Sequence, residues 1–294
     1  MNRIFLISTA LAAGLLFGAA AQASTLNIRI NADIRGVEGL NRDANTDTVL
    51  HHIFETLVGF RDDLTIGPVL AESWTVSDDG KTYTFTLRDG ATFHNGDPVT
   101  SADVKWNWDR RVAAGAAWFC NAFFDGSQGL KVEAVETPDP RTVVFKINEP
   151  NALFLAQLAN IQCNAWIASP KNVGADGKWI GDSAIGSGSF KLKEWQKGQY
   201  VTLEKYAGYK PLKEKASGYA GDRTALVDEA KFMIIPDTSA AETALFAGEI
   251  DVLENFESQR IEEAKGRGVQ VMTTAGLSLT PLLIQTNDPL MSNV

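Results

Sequence analysis

A mixed α/β fold built as more than one lobe is what this sequence predicts, and three observations predict it. Short segments that alternate apolar and polar residues recur along most of the chain, separated by Gly- and Asp-containing turns. Between them lie stretches whose apolar groups fall three and four residues apart, the spacing of a helix face. The chain has 294 residues, 45% of them apolar and 21% charged. That is the composition of a folded domain and a length beyond one ordinary core.

The chain begins with Met1-Asn2-Arg3, a short positive start, followed by apolar or small residues from Ile4 to Ala20. Ala21-Gln22-Ala23 then offers small residues where a signal peptidase needs them, so residues 1–23 read as a secretory leader cleaved after Ala23. A membrane anchor is the competing reading, but the apolar run is as short as a signal segment and lacks charged flanks on its far side. No Cys follows to carry a lipid, so the expected product is soluble and periplasmic, in a Gram-negative cell. With 27 basic against 36 acidic residues the net charge is −9. Such a balance argues against nucleic acid and anionic membranes as partners. Cys120 and Cys163 are either two buried thiols or a disulfide, which an exported compartment favours. A bond between them closes a loop of about 44 residues, worth about 4 kcal/mol in the chain-entropy description.

Leu26 to Asn31 alternates and opens the fold as a strand. Arg35 to Asp47 is polar and reads as a loop, with Thr46 or Asp47 capping a helix through Val49, Leu50, Ile53, Phe54 and Leu57. Ser77-Asp78-Asp79-Gly80 turns Trp74-Thr75-Val76 back into Thr82 to Leu87, with Tyr83, Phe85 and Leu87 on one face. Thr100 and Asp103 form a capping box ahead of a helix whose Val104, Trp108 and Val112 share a face. Lys131–Glu136 and Thr142–Ile147 make a second hairpin, Phe190–Trp195 and Tyr200–Glu204 a third. Ser239 to Phe246 is helical, and strand signals return at Val269-Gln270-Val271 and Leu279 to Ile284.

Several stretches resemble one family in order and spacing. The longest runs from Leu70-Ala71-Glu72-Ser73-Trp74 through Leu87-Arg88-Asp89-Gly90 and Phe93-His94-Asn95-Gly96-Asp97-Pro98 to Ala102-Asp103-Val104-Lys105. His51-His52-Ile53-Phe54-Glu55-Thr56-Leu57-Val58, Gly186-Ser187-Gly188-Ser189-Phe190 and Ala244-Leu245-Phe246-Ala247-Gly248-Glu249-Ile250-Asp251 agree with it. The chain thus resembles the peptide/nickel/opine family of extracellular solute-binding proteins, the receptors of ABC importers. The resemblance implies a periplasmic-binding-protein-like fold of two lobes with an extra small domain, in which this chain is the N-terminal part. Residues 24–54 with 176–275 are then the first lobe, 55–175 the extra α+β domain, and 276–294 the start of a truncated second lobe. Where many members carry Leu-Asp-Pro before the first helix, this chain reads Leu40-Asn41-Arg42.

No enzyme signature appears. There is no Gly-x-Ser-x-Gly elbow, no His-Glu-x-x-His pair, and no phosphate or dinucleotide loop, so no cofactor is implied. His51 and His52 are adjacent and point about 100° apart on a helix, which does not suit a metal. His94 is expected to bond the backbone of its own turn. In relatives the loop before the first helix lies extended beside the ligand, and the resemblance carries this onto Arg42, Asp43, Ala44, Asn45 and Thr46. Arg42 then pairs with a ligand carboxylate and Asp43 with an amine. Trp118-Phe119 and Phe123-Phe124 are read mainly as packing of the extra domain. The implied activity is capture of di- or oligopeptides by a monomer whose lobes close on the ligand and present it to a membrane permease. Opines, nickel chelates, glutathione-like compounds and short sugars are alternative ligands. An exported chaperone or scaffold is the alternative from another class.

Overall fold

The computed structural model describes residues 23–40 and 43–273. The expected leader, Asn41 and Arg42, and the segment from 274, with the strand expected at Leu279 to Ile284, lie outside the described residues. Those up to Val252 form one compact unit and those from Leu253 a second.

The first unit runs β1 (Thr25–Ile30), α1 (Ala44–Leu50), β2 (Val58–Phe60), β3 (Ile66–Pro68), β4 (Ala71–Val76), β5 (Thr82–Leu87) and α2 (Ser101–Ala114). It continues through β6 (Val132–Asp139), β7 (Thr142–Ile147), α3 (Phe154–Ala159), β8 (Phe190–Gln196), β9 (Tyr200–Lys205), β10 (Glu229–Ile234) and α4 (Thr238–Ala247). One four-stranded sheet has the order β1-β10-β9-β8, with β1 parallel to β10 and the other pairs antiparallel. The other, β4-β5-β7-β6, is antiparallel throughout. The architecture is mixed α and β, as expected.

Each sheet carries its own core. Tyr83, Phe85 and Leu87 alternate inward from β5, with Phe85 opposite Val143 and Tyr83 opposite Phe145. Against them α2 lays Val104 and Trp108, and Trp118, Phe124 and Phe154 complete the cluster. The sheet of β1 buries Ile30, Val201, Leu203 and Phe232 against Val49, Leu50, Ile53 and Phe54. Asp103 accepts from both the backbone N and the hydroxyl of Thr100, closing the capping box.

Four expectations are corrected. α1 starts earlier and is shorter: Asp43 is its cap, its carboxylate taking the Thr46 N–H at 2.8 Å. His52 and Ile53 donate three residues back, to Val49 and Leu50, which tightens the end of α1 before Glu55 bridges Ile167. On α2, Val112 is 46% exposed whereas Arg111 is buried, because the inward stripe runs through 104, 107, 108 and 111. Val269-Gln270-Val271 form no strand, since Val269 donates to Ala264 and continues the end of helix α5 (Ile261–Gly266) in the second unit. His94 bonds another segment, Gly186 to Gly188, rather than its own turn.

Candidate functional site

The loop leaving β1 is fixed by its own residues. Asp33 accepts from Trp195 Nε1 at 2.9 Å and from the Gly198 N–H at 2.7 Å, tying the loop to the β8–β9 turn. Ile34 and Val37 are buried behind it. At Gly39, φ is +72° and an added Cβ would stand 2.0 Å from the Trp166 ring, so only glycine fits. Leu40 then accepts the Phe119 N–H through its carbonyl.

Beyond the undescribed Asn41 and Arg42, Asp43 has its carboxylate fully engaged. One oxygen takes the Thr46 N–H and hydroxyl, and the other faces the Arg35 guanidinium at 3.2 Å. The Arg35 backbone N–H donates to Thr46 Oγ1 at 2.9 Å. Ala44, Asn45 and Thr46 are therefore the first turn of α1, not an extended strip, and the Thr46 N–H is taken by the Asp43 cap. This corrects the expectation of strand-like backbone at these positions.

A second loop abuts the same helix. Asn164, in left-handed conformation at φ 49°, donates from its amide to buried Asp47 at 3.0 Å. His51 Nε2 is 3.0 Å from the Ile161 carbonyl, and burial pushes the His51 pKa down to about 4, so the ring is neutral. Its Nε2–H therefore donates. Cys163 is disulfide-bonded to Cys120, and Trp118 Nε1 donates to the Cys163 carbonyl at 2.7 Å. Of the aromatic run, Trp118 and Phe124 are packing groups while Phe119 is 45% exposed. The structure thus brings together the β1 loop, the start of α1 and the disulfide-linked loops 118–120 and 160–164. Sequence reasoning missed Arg35 and Asn164 and read Asp47 as a helix cap rather than as the partner of Asn164. Nothing in the sequence signals an amide 117 residues from its carboxylate.

Arg35 carries a guanidinium fork on a side chain 72% exposed, and Phe119 is 45% exposed. A concavity of about 550 Å³ borders Glu38, Leu40, Trp106 and Arg110, and among the described residues no hydroxyl or thiol side chain lines it. Among the described residues no three His, Cys, Asp or Glu groups cluster as metal ligands do.

Behind this surface Glu55 receives both Arg88 Nη atoms, at 2.8 and 2.6 Å, with Ser187 Oγ and Tyr209 Oη completing its shell. Burial acts to raise the Glu55 pKa, but the Arg88 charge and hydrogen bonds outweigh it and hold the carboxyl below its ordinary value. Gly186 accounts for the Gly-Ser-Gly sequence. A Cβ there would lie 2.0 Å from the Ile53 carbonyl oxygen, so only glycine lets this segment bring Ser187 to Glu55.

Comparison with known proteins agrees with this architecture. The model of bacterial extracellular solute-binding proteins, family 5, middle part, matches residues 65–294. The chain is 31% identical over 290 residues to the probable D,D-dipeptide-binding periplasmic protein DdpA of Escherichia coli strain K12, covering 93% of this chain and 49% of that protein. It is 31% identical over 215 residues to the dipeptide-binding protein DppE of Bacillus subtilis, covering 69% of this chain and 37% of that one. Among solved structures, the binding protein AgaA from A. tumefaciens R10, in complex with agropinic acid, superposes with a TM-score of 0.68 at 26% identity. That match covers 82% of this chain and 46% of AgaA. The chain spans about half or less of the length of these relatives.

Proposed function

Because the chain belongs to the bacterial extracellular solute-binding proteins of family 5, we propose that it holds small solutes for an ABC importer, with di- or oligopeptides as the favoured ligands. One observation carries the reading: 31% identity to a dipeptide-binding periplasmic protein over 93% of the chain. It acts in the periplasm as a monomer after cleavage following Ala23, closes on its ligand, and delivers it unchanged to membrane permease subunits. Residues 24–54 and 176–275 form the first lobe, and the sheet shared by β1 with β8, β9 and β10 supports joining these two stretches. Residues 55–175 form the extra domain, which holds both β4–β5 and β6–β7 hairpins. Arg42 pairs with a ligand carboxylate, and Asp43, Ala44, Asn45 and Thr46 set its position through the capped turn of α1.

A thermal-shift screen of the full-length gene product against peptides, glutathione, opines, sugars and metal chelates tests this. A peptide at a hundredfold its Kd adds about 2.7 kcal/mol and raises Tm by several degrees. Arg42→Met weakens that peptide's binding by about tenfold or more. A response confined to a non-peptide class rejects the ligand assignment, and chemical conversion of the ligand rejects the receptor.

A further inference from the structure

Arg111 is a buried cation without a counter-ion. It lies on the inward stripe of α2, 5% exposed, and among the described residues no carboxylate stands within ion-pair distance of it. Glu38, whose charge does reach it, is bonded to Arg110. The contacts that hold Arg111 are long. Nη1 reaches the Asn107 backbone oxygen at 3.3 Å and its side-chain oxygen at 3.5 Å, and Nε has no partner. Asn107 has little more to give, because its amide clamps Asp103 and Ala168. Trp166 belongs to the other core, is fully buried, and its indole N–H also has no partner.

The two side chains that carry these donors line one cavity of about 20 Å³, whose remaining wall includes Val104, Phe145 and Leu158. We propose that this cavity binds a single small monovalent anion of the halide class, held by the Arg111 guanidinium and the Trp166 indole N–H. The volume exceeds the ~10–15 Å³ that one water-sized guest requires. A water molecule would satisfy the N–H groups but leave the charge, and an uncompensated charge among apolar side chains is strongly unfavourable. Burial lowers the Arg111 pKa to about 9, so the cation persists at neutral pH and the charge must be met. The guanidinium is weakly hydrated and suits a soft, spherical acceptor.

The test uses the mature protein and halide salts alone. Tm is followed while sodium chloride replaces sodium gluconate at constant ionic strength, and the expected curve rises and saturates. Iodide, bound against Trp166, quenches a saturable part of the emission of the seven tryptophans. Trp166→Phe keeps the ring and removes the N–H; it abolishes the saturable quenching and shifts the chloride midpoint at least fivefold upward. Arg111→Met abolishes the chloride response. A bromide soak places an anomalous peak between Arg111 Nε and Trp166 Nε1. Wild-type protein whose Tm is indifferent to chloride overturns the proposal. So does a response that survives unchanged in both variants, or a bromide-soaked crystal with only water at the position.

Discussion

Glu55 joins two cores through one carboxylate: it ends the α1 turn, binds Arg88 from the end of β5, and takes Ser187 from the segment that returns to the first sheet. Replacing it with Gln keeps the shape and strands the Arg88 charge at 5% exposure. Glu55→Gln is therefore expected to lose about 3–5 kcal/mol in urea unfolding; a loss under about 1 kcal/mol contradicts the pairing. The neighbouring histidines give a pH signature. Burial lowers the His51 and His52 pKa values from 6.5 to about 4. Unfolded chains thus take up protons first as pH falls. Stability is full above about pH 6.5, declines toward about pH 4, and is level below that. His51 is 4% exposed and His52 only half-buried, so most of the loss belongs to His51. Urea midpoints between about pH 7 and pH 4.5 should fall, and His51→Gln should flatten the slope. An unchanged slope assigns the proton uptake elsewhere.

Among the elements, α1 and the disulfide loop shape the candidate surface. Asp43→Ala removes the cap and costs about 1 kcal/mol by thermal unfolding. No loss at all would show that Asp43 is not what starts the helix. Reducing Cys120–Cys163, which are 43 residues apart, costs about 2–5 kcal/mol and frees the loops beside α1. From sequence the bond rested on the expected exported compartment and on chain entropy, which left free thiols open. The antiparallel hairpins were legible because Ser77-Asp78-Asp79-Gly80 and Pro138-Asp139-Pro140 mark their turns and Tyr83, Phe85 and Leu87 alternate. β10 was overlooked although Ala230, Phe232 and Ile234 alternate with Glu229, Lys231 and Met233. A strand with remote partners has no adjacent turn to announce it. The cap of α1 was misplaced by three residues or more because Asp43, Thr46 and Asp47 are all competent caps, and the choice depends on Arg35.

For the whole molecule, the family resemblance made the fold readable, while its interior polar contacts were not. Arg88–Glu55 and Asp47–Asn164 link residues far apart in sequence, where no periodic pattern reaches. His94 adds to the coupling of the two cores: its Nδ1 accepts from the Gly186 N–H, so its Nε2 carries the proton donated to the Gly188 carbonyl. With such pins, residues up to Val252 should melt in one transition whose calorimetric and van't Hoff enthalpies agree. Two resolved peaks within that unit would mean that the cores part company.

Ser24 clasps Asp228, 204 residues further on, at the head of the parallel β1–β10 pair. A ribosome adding about 5–20 residues per second needs roughly 10–40 s to cover that interval. Throughout it the opening strand has nothing to zip against. The order of synthesis therefore keeps this latch undone until Asp228 itself has emerged.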